Sequence, residues 1–149
     1  MKPIYLEMNY FGPHENSVVD FRLLDESPIF LISGDTGAGK PTIFDAMTYA
    51  LFGTTTGDRD AKEMRSQFAT ADDRTSVTFY FEQGNLLYRI ERSPEQKLSK
   101  KRGSGSTLQK STAKLAIVDR VKGIEKNNIA INPKNVGEEI TRLLHLNAE

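Results

Sequence analysis

Seven consecutive residues, Gly34-Asp35-Thr36-Gly37-Ala38-Gly39-Lys40, have types and spacing that could do chemistry. The G-x-x-x-x-G-K pattern is that of a loop that cradles phosphates. Gly34, Gly37 and Gly39 permit positive φ and close backbone approach, so successive N–H groups can converge on phosphate oxygens. Lys40 adds a point charge for the β- and γ-phosphates, which makes ATP the implied ligand. The pattern continues with Ser or Thr, whose hydroxyl coordinates Mg²⁺, but Pro41 stands there. Proline has neither hydroxyl nor N–H, although it suits a first helical turn sterically. Thr42 carries a hydroxyl one residue on, and a step of about 100° around the helix aims it away from the metal position. The candidate nucleotide site is therefore residues 34–42, with its Mg²⁺ ligation in question and no catalytic side chain assigned.

A loop of this kind works only between a buried strand and a helix. Residues 29–33, Ile-Phe-Leu-Ile-Ser, form a continuous apolar run suited to a strand buried on both faces. After the loop, Ile43, Phe44, Ala46, Met47, Ala50 and Leu51 recur at helical spacing until Gly53 stops them. Upstream, residues 4–11 and 17–21 predict two strands around Gly12-Pro13, antiparallel because so short a connection cannot make a parallel crossover. Downstream, residues 61–69 predict a short helix, and residues 76–82 and 86–92 predict a hairpin around Gln83-Gly84-Asn85. Residues 114–118 predict another strand, and Asn135 with Glu138 forms a capping-box pattern opening a helix through Ile140, Leu143 and Leu144. The fold class expected is α/β, a P-loop NTPase lobe with a mixed sheet and antiparallel hairpins.

Other signals are weaker. Residues 93–112 hold Lys97, Lys100, Lys101, Arg102 and Lys110 among Ser, Gly, Gln and Thr, which predicts a mobile, solvated basic loop. Asp119 ends an apolar run as a Walker B aspartate would, but Arg120 follows where a glutamate belongs, so it reads as an ordinary strand end. His14 and His145 are isolated, and Arg65 and Arg92 read as surface ion-pair residues. The 149 residues are 38% hydrophobic and 27% charged, the balance of one globular lobe. Twenty basic and twenty acidic residues cancel, so net charge does not argue for a nucleic-acid partner. Without cysteine there are no disulfides or thiolate metal sites. The lack of a long apolar run predicts neither a membrane span nor a secretory signal, and a cytoplasmic location is expected.

The loop together with Thr42-Ile43-Phe44-Asp45-Ala46 and Ala50-Leu51-Phe52-Gly53 resembles the SbcC exonuclease subunits and the wider SMC-like, ABC-type repair ATPases. Tyr10-Phe11-Gly12-Pro13, Val19-Asp20-Phe21, Met64-Arg65-Ser66-Gln67-Phe68-Ala69 and Tyr88-Arg89-Ile90-Glu91-Arg92 extend the resemblance over residues 4–92. Lys40 and Thr42 match the family's loop, and Pro41 departs from it. The resemblance implies that residues 1–149 are the amino-terminal lobe of an ATPase head, with a coiled coil and a carboxy-terminal lobe elsewhere in a longer protein. It also implies ATP-driven head-to-head homodimerisation, a separate SbcD-like nuclease subunit, and action on double-stranded DNA ends in repair and recombination. The family's Q-loop glutamine, which is not Gln67, is expected just beyond residue 149. With it and the signature and acidic elements missing, this fragment is expected to be inactive as an ATPase by itself. Two other readings compete: a P-loop kinase or phosphotransferase, and a degenerate interaction module that Pro41 has disabled for hydrolysis.

Overall fold

The computed structural model describes residues 1–12, 14–24, 40–54, 64–66, 69–122 and 125–144. Its centre is a six-stranded antiparallel sheet in the order β2-β1-β3-β4-β7-β8. The strands are β1 (Lys2–Phe11), β2 (His14–Asp20), β3 (Ser76–Gln83), β4 (Leu86–Ser93), β7 (Thr112–Val118) and β8 (Glu125–Ile131). Between β4 and β7, the strands β5 (Gln96–Ser99) and β6 (Ser106–Gln109) pair only with each other. Among the described residues there are two α-helices, α1 (Lys40–Phe52) and α2 (Pro133–Leu144).

Period-two alternation decides which face of the sheet is apolar. Register then aligns one inward row across all six strands: Val19 opposite Leu6, Leu6 opposite Phe79, Phe79 opposite Ile90, Ile90 opposite Leu115, and Leu115 opposite Ala130. Leu6, Phe79, Ile90 and Leu115 are fully buried. Each contributes about 1.5–3 kcal/mol of transfer free energy, so a one-residue slip, which turns a whole strand over, is strongly disfavoured. On this face α1 lays down Ala46, Tyr49, Ala50 and Leu51, and α2 lays down Val136 and Ile140. The rings of Phe11 and Tyr49 stack with centroids 5.8 Å apart, fixing α1 against the end of β1.

Both sequence-predicted hairpins are present, as β1–β2 and β3–β4, and the predicted helix after the loop is α1. Every pairing among the described residues is antiparallel. The strand expected at residues 29–33, which would make the sheet mixed, lies outside the described residues. No helix among the described residues is long and apolar enough to cross a membrane.

Three expectations are revised, and one strand is new. Residues 93–112, expected as a mobile basic loop, include the strands β5 and β6, paired by backbone ladder bonds, while Lys100, Lys101 and Arg102 lie in the irregular connection between them. Of residues 61–69, expected as a short helix, 61–63 and 67–68 lie outside the described residues, and Arg65 makes an isolated antiparallel bridge with Phe11. Strand β8 had no sequence signal, since Glu125-Lys126-Asn127-Asn128 is polar, and it forms by adding to the edge of β7. Helix α2 begins earlier than the Asn135/Glu138 pattern suggests. Asn132 is its cap, with Oδ1 accepting from Asn135 N at 3.0 Å, and Pro133 takes the first helical position, where no N–H is needed.

Candidate nucleotide site and the anchoring of its helix

Gly34, Asp35, Thr36, Gly37, Ala38 and Gly39 lie outside the described residues. Helix α1 begins at Lys40, directly after the glycine-rich run, with Pro41 and Thr42 in its first turn. Proline at this position costs the helix little, because first-turn N–H groups have no intrahelical partner. The same free N–H groups and the helix dipole make such an end favourable for anions.

The other end of α1 is pinned. Gly53 adopts φ +77° and donates its N–H to Tyr49 O at 2.7 Å, an αL cap that glycine accommodates without strain. The next two carbonyls are satisfied from the sheet: Arg92 donates from Nε to Ala50 O at 2.8 Å and from Nη2 to Leu51 O at 3.2 Å. Arg92 sits on the inward face of β4, in step with Tyr88 and Ile90, and is only 4% exposed. Its burial lowers the guanidinium pKa, and burial likewise raises that of the Tyr49 hydroxyl beside it. Arg92 is thus no surface ion-pair residue. It ties the C-terminal end of α1 to the sheet, and a helix of 13 residues transmits that constraint to Lys40.

Arg65 is likewise corrected. Its Nη1 donates to Asp73 O at 2.6 Å, Thr75 Oγ1 at 3.1 Å and Gln96 Oε1 at 2.8 Å, and its Nη2 donates to Thr70 O at 2.7 Å. Gln96, on β5 and 5% exposed, also accepts from Thr75 N and donates to Thr75 O. The Tyr10 carbonyl receives Thr75 Oγ1 at 3.0 Å and Ser66 N at 2.8 Å, which holds Tyr10 at φ 51°, a conformation rare for a non-glycine residue. Backbone bonding from Thr70 keeps the Asp73 carboxyl below the usual range. This network fastens residues 64–66, residues 69–75 and β5 to the end of β1.

Asp119 does not behave as a metal-site carboxylate. Its Oδ1 accepts from Val121 N at 2.9 Å and Lys122 N at 2.8 Å, the cap of a turn after β7, and these bonds lower its pKa. Asp45, on α1 and 3% exposed, is the one buried carboxylate among the described residues, and the sequence motif gave it no role of its own.

A helix that opens directly after a G-x-x-x-x-G-K run and packs on a sheet is the arrangement of an ATPase domain. A profile described as an AAA domain matches residues 5–148, and the chain belongs to that family. It is 99% identical over 149 residues to the SbcC subunit of nuclease SbcCD from Lactococcus lactis subsp. lactis (strain IL1403), an alignment covering all of this chain and 14% of that protein. The protein of the same name from Vibrio cholerae serotype O1 is 38% identical over 151 residues, covering all of this chain and 15% of that protein. The one from Staphylococcus aureus (strain MRSA252) is 48% identical over 93 residues, which is 62% of this chain and 9% of that protein. The chain therefore spans a small part of the curated relatives it matches.

Proposed function

We propose that this chain is the ATP-binding amino-terminal lobe of an ABC/SMC-type ATPase head in an SbcC-like subunit, acting with a separate SbcD-like nuclease subunit on double-stranded DNA ends. The observation that carries the reading is that α1 opens at Lys40, directly after the glycine run, and packs against the sheet. The relatives are named for the SbcC subunit of nuclease SbcCD, which supports the rest. In this reading backbone N–H groups of residues 34–39 surround the phosphates, and Lys40 neutralises the β- and γ-oxygens. ATP and Mg²⁺ are the cofactors. Nucleotide closes two heads into a homodimer, and a cytoplasmic location suits a DNA-processing complex.

Pro41 favours a second reading, a nucleotide-binding module that does not hydrolyse, because the residue that would ligate Mg²⁺ has no hydroxyl. Calorimetric titration of the chain with ATP, in Mg²⁺ and in EDTA, tests both. Saturable binding that falls at least about tenfold in Lys40→Ala is expected, since a charge-assisted bond to phosphate is worth roughly 1.5–3 kcal/mol. Binding unaffected by Lys40→Ala overturns the site. Binding that ignores Mg²⁺ favours the non-hydrolysing module.

A further inference from the structure

Arg92 has a spare donor. Its Nε and Nη2 are engaged by the carbonyls of Ala50 and Leu51, while Nη1 has no hydrogen-bond partner among the described residues. The ion pairs among the described residues also leave it without a carboxylate. A charge this buried is ordinarily paired, because carbonyl dipoles only partly replace lost hydration.

Nη1 lies beside Gly53. A Cβ placed on Gly53 would stand 3.2 Å from Nη1, so the missing side chain keeps that approach clear. Gly53 and Arg92 line a crevice of about 540 Å³, walled by Tyr49, Phe52 and Pro133, with Lys110 also on its lining. Glu95 lines the same crevice and already has a partner of its own. Phe52 is 44% exposed, an apolar surface beside a cation that has no carboxylate partner among the described residues. The crevice lies at the far end of α1 from Lys40, about 18 Å along the helix axis, and is separate from the phosphate loop.

We propose that this crevice binds an oxyanion, a carboxylate or phosphate carried on an apolar body, with Arg92 Nη1 as donor and Lys110 as the second cation. The anion completes the pairing of the buried guanidinium, and the body covers Phe52. Titration of the whole chain with benzoate and with phenyl phosphate, followed by amide NMR, tests it, with acetate and inorganic phosphate as probes that lack the body. Saturable shifts at Gly53, Lys110 and Thr112 are expected, tighter for the aromatic probe of each pair. Whichever anion binds more tightly identifies the source as carboxylate or phosphate. Arg92→Met removes the donor but also loosens α1, so Lys110→Glu is the deciding variant, weakening binding about two- to fivefold. The proposal is overturned by the absence of saturable shifts at these amides. Shifts that persist in Lys110→Glu but vanish in Lys40→Ala also overturn it, since they place the anion at the phosphate loop.

Discussion

Arg92 Nε, on β4, donates to the main-chain oxygen of Ala50, on α1, at 2.8 Å. With the second bond to Leu51 it supplies two of the donors that the end of α1 lacks. Arg92→Met keeps the aliphatic stem and removes both donors, so two buried carbonyls lose their partners. A loss of about 2–4 kcal/mol is expected. Urea unfolding checks it through a lower midpoint at unchanged slope. Arg92→Lys, with one compact donor group, should recover only part of the loss.

Gln96 on β5 serves Thr75 and Arg65 at once. Gln96→Leu fills similar space but strands Thr75 N and Thr75 O, while Arg65 Nη1 keeps Asp73 O and Thr75 Oγ1, so about 1–3 kcal/mol should be lost. The effect should be local. Faster hydrogen exchange is expected at Ser66, Thr75 and Ser99, whose N–H groups lie in or next to the network, with the β3–β4 ladder unchanged.

What the sequence made legible, and what it hid, follows from how far away the partner lies. The hairpins β1–β2 and β3–β4 and the helix α1 were readable because each element carries its own apolar period. Strands β5, β6 and β8 carry no such pattern, and their order comes from ladder bonds to neighbours. Arg65 and Arg92 were misread because charge alone suggests the surface, whereas their partners are carbonyls on other elements. A signal for Arg92 did exist: it continues the inward series Tyr88, Ile90 along β4. The cap of α2 was also available in Asn132-Pro133, a dipeptide that pairs a capping side chain with a residue suited to the first turn. For the nucleotide loop the sequence motif remains the stronger guide, since residues 34–39 lie outside the described residues.

Glu125 couples stability to pH. Its carboxylate accepts from Lys114 Nζ at 2.6 Å and also pairs with Arg89, and these partners hold its pKa below the ordinary glutamate value of 4.5. A depressed carboxylate pKa stabilises the folded state above the unfolded value, and that stabilisation is lost as pH falls through the lower folded value. At pH 7 the chain should therefore be more stable than Glu125→Gln, with the gap closing below about pH 4.5. Parallel denaturation curves of the two proteins from pH 7 to pH 3 check this, because the other carboxylates cancel in the difference. A gap constant over that range contradicts it.

Pro41→Ser should strengthen Mg²⁺-dependent ATP binding while changing fold stability little. Pro41 sits in the first turn of α1, where its fixed φ suits the helix and its missing N–H breaks no intrahelical bond. Serine therefore relieves no large strain, and the unfolding midpoint should stay nearly the same. For the ligand the change is larger. Serine restores an N–H to a helix end favourable for anions, and a donor to a charged phosphate oxygen is worth roughly 1.5–3 kcal/mol, or about ten- to hundredfold in affinity. Its hydroxyl restores the Mg²⁺ ligand that the motif normally provides. The two contributions separate by chelation: the donor's gain persists in EDTA, and the metal ligand's gain appears only with Mg²⁺. Calorimetry on both proteins under both conditions decides the matter. Equal affinities throughout mean either that the loop does not hold phosphate in this way or that Thr42 already supplies the hydroxyl, and a Thr42→Val variant in both backgrounds distinguishes those outcomes.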